Sequence, residues 1–163
     1  MGDVSMRVEV AALAEAIYDL VADMPRMGEW SPECERVEWT GGASGPAVGV
    51  GFVGHNRIGW HRWSTHGRVT TAERGSEFAF DVRSLFDLPV ALWSYRFETT
   101  AGGACLVTES TTDRRGALIR MAGRLATGVS DRAERNRKTM TTTLDRLRVT
   151  AEGQAPSRAT PTA

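Results

Sequence analysis

Two polar residues interrupt apolar patterns at positions that a strand would turn inward. In Phe52-Val53-Gly54-His55-Asn56 alternate residues share a face, so Asn56 lies with Phe52 and Gly54. In Val107-Thr108-Glu109-Ser110-Thr111 the same period puts Glu109 with Val107 and Thr111. A carboxylate among apolar neighbours is costly unless it is paired, hydrated or protonated. One reading is that Asn56 and Glu109 orient the polar end of a bound ligand. The other is that they hydrogen-bond backbone, water or each other inside a wet cavity. If such a cavity did chemistry, burial would raise the pKa of Glu109 until it served as a general acid or base. Tyr95 would then act as a donor, and Asn56 would orient a carbonyl.

Other chemistries find less support. His55, His61 and His66 form no H-x-H or H-x3-H pair, so no metal site is expected. No serine is flanked as a nucleophile elbow. Gly49, Gly51 and Gly54 precede no helix and read as strand glycines, so neither a dinucleotide loop nor any cofactor is expected. Cys34 and Cys105 are far apart and read as free thiols, with Cys105 packing as a small hydrophobe. Twenty basic and twenty acidic residues cancel, which argues against nucleic acid or an anionic membrane as partner. No apolar run approaches the roughly 20 residues of a membrane span. Residues 1–10 show no signal-peptide pattern, so the expected location is the cytoplasm.

The elements that must position these groups follow from periodicity. Val4, Met6, Val8 and Val10 alternate with polar residues, giving a half-buried strand over 4–12. Leu13, Ile17, Leu20, Val21 and Met24 then fall on one helical face, and Pro25 starts a second short helix ending at Ser31-Pro32. Strands are expected at 37–40, 48–58, 60–72, 77–83, 90–99 and 105–113, joined by Gly-rich turns into an antiparallel meander. Residues 116–149 carry the longest 3.6-residue pattern, through Leu118, Leu125, Asn136, Met140, Leu144 and Leu147. Gly123 and Gly128 within it mark a bend or a weakly formed first part. One domain over 1–150 is expected, with 151–163 a disordered tail rich in Pro, Ser, Thr and Ala. The fold class is α+β, a curved antiparallel sheet of about seven strands closed by one long C-terminal helix, with space left between them.

This order resembles the helix-grip fold of the START-like superfamily, which holds START lipid-transfer domains, birch-pollen-type allergens and bacterial polyketide cyclase/dehydrase-like proteins. The segments that carry the resemblance are Gly49-Val50-Gly51-Phe52-Val53-Gly54-His55-Asn56-Arg57, Arg62-Trp63 and Val69. Glu29-Trp30-Ser31-Pro32-Glu33-Cys34, Trp93-Ser94-Tyr95-Arg96-Phe97, Val107-Thr108-Glu109-Ser110 and Thr143-Leu144-Asp145-Arg146-Leu147 add to it. They look like the actinobacterial branch, and they cover residues 4–152. The resemblance implies an internal pocket for a small, largely hydrophobic molecule, either bound or transported as a lipid or polyketide, or cyclised without a cofactor.

Strand parity nominates the pocket walls. Phe52, Asn56, Trp63 and Phe80 point inward, as do Trp93, Tyr95, Phe97 and Glu109. Trp30, beside the second helix, is a further wall candidate. Glu33 lies either at the pocket mouth or on an exposed loop. Trp60 is expected at a strand edge or rim. A filled interaction module would leave the inward polar residues unexplained. A monomer or homodimer is expected.

Overall fold

The computed structural model describes residues 4–84, 86–116 and 131–154, apart from the side chain of Arg132. Strand β1 (Val4–Val10) leads into helix α1 (Ala14–Ala22) and a 3-10 turn (Met24–Glu29). Six strands follow: β2 (Cys34–Trp39), β3 (Gly51–Ile58), β4 (His61–Glu73), β5 (Glu77–Arg83), β6 (Pro89–Thr99) and β7 (Cys105–Asp113). Helix α2 (Arg132–Gln154) closes the described chain. The seven strands form one antiparallel sheet in the order β1-β7-β6-β5-β4-β3-β2. The expected α+β architecture is therefore present. β1 and β2 are neighbours in the chain yet occupy opposite edges, so α1 and the 3-10 turn must carry the chain across the sheet.

Register breaks curve the strands. β4 and β5 shift register between Val69 and Thr71, β5 and β6 between Val82 and Arg83, and β2 and β3 between Cys34 and Arg36. Such bulges bend a strand and sharpen its twist. Along the concave face the aromatic rings meet edge to face, Trp39 on Phe52, Phe52 on Phe80, and Tyr18 of α1 on both Phe78 and Phe97. These contacts pin α1 to the middle of the sheet.

The two ends of α2 have different surroundings. Met140, Leu144, Leu147 and Ala151 are buried at helical spacing and form its apolar seam against β1 and α1. Asp131 caps the start, its carboxylate accepting the Glu134 backbone N–H at 3.0 Å. The helix extends past residue 150, where the domain was expected to end. Ala151 continues the seam and is buried, so the helix runs to Gln154 before any tail. The expected helical residues Leu118 and Leu125, with Gly123 and Gly128, lie outside the described residues, as do 155–163.

Gly67 has a specific steric reason. It pairs with Phe52 across β3 and β4, and a Cβ there would fall 2.0 Å from Phe52 Cζ. The missing side chain lets the Phe52 ring lie over β4 and reach Phe80. Gly67→Ala should lower stability by about 1–3 kcal/mol, read as a lower urea midpoint, because the ring is held on its other sides. Phe52→Leu in the same chain should recover part of the loss. An unchanged midpoint in Gly67→Ala would show that the ring is free to move.

Candidate functional site

A cavity of about 590 Å³ lies between the concave face and the first half of α2. That is the size of a small-molecule site. Its walls follow the period of two along most of the strands, with Ser64 of β4 and Val90 of β6 as additions out of phase. β3 supplies Phe52, Gly54 and Asn56, and β4 supplies Trp63 and Thr65. β5 supplies Phe80 and Val82, β6 Trp93 and Tyr95, and β7 Glu109, Thr111 and Asp113. Met24 and Met27 of the 3-10 turn and Cys34 and Val37 of β2 close one flank. Asn136, Thr139 and Thr143 of α2 form a polar lid over this mainly apolar bowl.

Burial defines a closed end and a mouth. Tyr95 and Glu109 are each 2% exposed, Thr111 3% and Thr143 2%. Further along β7 the cavity meets the ion pair Asp113–Arg115 at 2.8 Å, whose side chains are 21% and 14% exposed. A second ion pair, Arg135 Nε to Glu33 Oε1 at 2.7 Å, ties α2 to the loop before β2. The β5–β6 connection brings Ser84, Phe86 and Leu88 to the cavity, with Phe86 86% exposed. Ser84 Oγ accepts the backbone N–H groups of Phe86 and Leu88, which sets the shape of this rim.

At the closed end Tyr95 and Glu109 face each other in the β6–β7 register. The Tyr95 hydroxyl donates to Glu109 Oε1 at 2.7 Å. Burial drives the Glu109 carboxyl from 4.5 up to about 8, against the smaller opposing pull of the Tyr95 hydrogen bond. Burial, reinforced by the neighbouring Glu109, raises Tyr95 well above its ordinary value, so the phenol keeps its proton. Glu109 Oε2 and Thr111 Oγ1 are both buried with no hydrogen-bond partner. Asn56 is half-buried and its amide reaches Thr65 Oγ1 only at 3.5 Å, the limit of a hydrogen bond. Burial pushes the Cys34 thiol to about 11, which leaves it protonated and a poor nucleophile.

The nominated residues separate clearly. Phe52, Asn56, Trp63, Phe80, Trp93, Tyr95 and Glu109 all line the cavity. Glu33 does too; it is 8% exposed and ion-paired, not an open loop carboxylate. Trp30 and Phe97 are corrections, because neither is on the cavity wall. Trp30 is fully buried in the core under the 3-10 turn, with the Arg26 guanidinium 5.5 Å from its ring centre. Phe97 has inward parity but lies toward the other end of β6, packed on Tyr18 with ring centres 5.8 Å apart. Trp60, at 90% exposed, stands on the tight Gly59-Trp60 turn between β3 and β4. His55 faces away from the cavity and bonds Ser64 Oγ at 2.8 Å. Among the described residues no three His, Cys, Asp or Glu side chains gather to hold a metal ion. Parity did not reveal Cys34, Asn136, Thr139 or Thr143. For the last three a signal existed, since polar residues at spacings of three and four share one side of α2.

The sequence profile of a family described as "Polyketide cyclase / dehydrase and lipid transport" matches residues 1–152. The chain belongs to that family. Solved structures share its fold. A polyketide-cyclase-like protein from Corynebacterium glutamicum is 26% identical, with TM-score 0.59, over 97% of each chain. Ginseng major latex-like protein 151 from Panax ginseng is 14% identical with TM-score 0.69, over 92% of this chain and 97% of its own. The di-domain ARO/CYC protein of the steffimycin biosynthetic pathway is 17% identical with TM-score 0.70, and this chain, covered over 94%, spans 51% of it. No curated protein matches the sequence.

The Glu109 carboxyl gives folding a pH dependence of definite sign. Below 4.5 it is neutral in both folded and unfolded chains and has no effect. Between 4.5 and about 8 only the unfolded chain ionises, so stability falls by up to about 1.4 kcal/mol per pH unit. Above that window the loss is complete. Glu109→Gln should remove this slope, making the variant more stable than the parent at pH 8 by a few kcal/mol. Urea midpoints at pH 5 and pH 8 measure it, and parallel pH profiles for the two proteins would contradict the buried-acid assignment.

Proposed function

We propose that this protein binds a small, largely hydrophobic molecule, lipid- or polyketide-like, in the cavity between sheet and α2. The observation that carries this reading is a mainly apolar cavity of about 590 Å³ whose unpartnered polar atoms cluster at its closed end. Apolar walls supply affinity, and a few polar groups supply orientation. Trp63, Phe80 and Trp93 would hold the ligand body, while Glu109, Thr111 and Asn56 would meet its polar end. Family membership supports a hydrophobic-ligand or cyclase role.

The protein's balanced charge supports neither nucleic acid nor an anionic membrane as partner. No described helix is long and apolar enough to cross a membrane. Both cysteines are free, which fits a reducing compartment such as the cytoplasm, with the protein a monomer or homodimer.

Native mass spectrometry of protein purified from its own host tests the binding reading directly. A bound mass lost on denaturation is expected, along with displacement of an apolar fluorescent probe. Empty protein that takes up no displaceable probe would remove the reading.

One observation favours a second reading, a cofactor-independent cyclase or dehydratase acting on a polyketide-like substrate. A buried carboxyl titrating near 8 beside a protonated phenol is suited to moving protons near neutral pH. Glu109 would be the acid/base group, Tyr95 would hold it and act as donor, and Asn56 would orient a substrate carbonyl. On that reading Glu109→Gln and Asn56→Ala fold normally but turn over a poly-β-ketone substrate at least about tenfold more slowly. Unchanged turnover in either variant removes the role given to that residue.

A further inference from the structure

The identity and direction of the hydrogen bonds at the closed end narrow the ligand class. Tyr95 donates to Glu109 Oε1, so that oxygen acts as the acceptor of the carboxyl. The hydroxyl oxygen of a carboxylic acid is the poorer acceptor, so the acid proton belongs on Oε2. That atom is buried and unpartnered, and Glu109 lines the cavity. Two residues on, Thr111 Oγ1 is also buried and unpartnered, with a hydroxyl free to rotate. Successive inward positions on a strand lie roughly 7 Å apart, within reach of one ligand end.

We propose that Glu109, as a carboxylic acid, and Thr111 form a donor pair at the closed end of the cavity that selects ligands ending in an uncharged carbonyl oxygen over ligands ending in a carboxylate. This rests on the reading of the cavity as a ligand site. The surroundings explain the exclusion of anions. Across from Glu109, β6 presents Tyr95 and β1 presents Met6, while β7 flanks it with Val107 and Thr111. From α2 come Asn136, Thr139 and Thr143, and from β2 the protonated Cys34 thiol. None of these carries a positive charge. The cation on the cavity wall, Arg115, is ion-paired with Asp113, and Arg135 beside the wall is ion-paired with Glu33. A carboxylate driven to the closed end would lose its water without gaining a counter-ion among the described residues. A ketone or ester oxygen loses less and gains the donors that are otherwise left unsatisfied.

The arrangement also reverses with pH. Burial holds Glu109 neutral until about pH 8. Above that, Oε2 becomes an acceptor and repels a carbonyl oxygen. Glutamine in its place would keep Oε1 under the Tyr95 hydroxyl and turn an N–H into the cavity at every pH.

Three probes of equal carbon count separate these effects: decyl methyl ketone, dodecane and dodecanoate, each displacing a bound apolar fluorophore. At pH 7 the ketone should bind about fivefold to tenfold more tightly than dodecane, and dodecanoate more weakly than the ketone by at least about tenfold. At pH 9 the ketone preference should vanish while dodecane binding persists. Glu109→Gln should retain the preference at both pH values, Glu109→Leu should lose most of it at both, and Thr111→Val should lose part of it. Dodecanoate binding as tightly as the ketone at pH 7 overturns the proposal. So does a ketone-to-dodecane ratio in the parent that is the same at pH 7 and pH 9. Failure of all three probes, dodecane included, overturns the ligand-site reading itself and this selection with it.

Discussion

A helix about 10 Å wide cannot cover a seven-stranded sheet that would span roughly 30 Å if flattened. Everything else in the molecule answers that mismatch. The bulges at Cys34/Arg36, Val69/Thr71 and Val82/Arg83 curl the sheet and shorten the distance to be bridged. α1 covers the middle with Tyr18 wedged between Phe78 and Phe97. The seam of Met140, Leu144, Leu147 and Ala151 covers the β1 side. What remains under the first half of α2 is left unfilled, and that is the cavity. Its position is a consequence of how α2 divides its contacts, packed at one end and polar at the other.

The cavity would be an ordinary apolar space without its closed end. Buried polar atoms in folded proteins nearly always find partners. Here two of them, Glu109 Oε2 and Thr111 Oγ1, belong to residues that line one cavity and have none. A carboxyl in that position works against folding near neutral pH, because the unfolded chain can ionise it and the folded chain resists. Departures of this kind from local consistency concentrate at functional sites. The Glu33–Arg135 pair differs, since each charge there meets its opposite and α2 is tied down by the contact. Its chemistry is that of a clasp.

Much of this was legible from alternation alone. Once strands are assigned, a period of two sends Phe52, Trp63, Phe80, Trp93 and Glu109 to one face, and the curl of the sheet makes that face the cavity wall. Parity fixes a face, however, and not a place along it. Phe97 shares the face of Trp93 but sits beyond the cavity, under α1, and Trp30 is enclosed by the core. Both positions depend on which helix covers which part of the sheet, a tertiary fact that no local pattern carries. The Tyr95–Glu109 pair lies between these cases. Pairing across β6 and β7 is symmetric about Gly102, so a turn centred there sets Tyr95 opposite Glu109. The Gly102-Gly103 turn was visible, and its centre holds the register. The polar side of α2 was also written in the spacing of Asn136, Thr139 and Thr143, but an amphipathic helix is read first for its apolar seam.

The Tyr95 hydrogen bond does not explain why an acid stands at position 109. Glutamine would accept the same phenol hydroxyl through its carbonyl, fill nearly the same volume and carry no titration penalty. The fold therefore has no need of a carboxyl there. What the acid adds is a proton that can be held or released near neutral pH, on a buried oxygen that Tyr95 leaves free. Tyr95 contributes direction, since by occupying Oε1 it leaves the acidic proton to Oε2. The pair thus separates two tasks that a lone buried glutamate would confuse, one oxygen anchored to the scaffold and the other left without a partner.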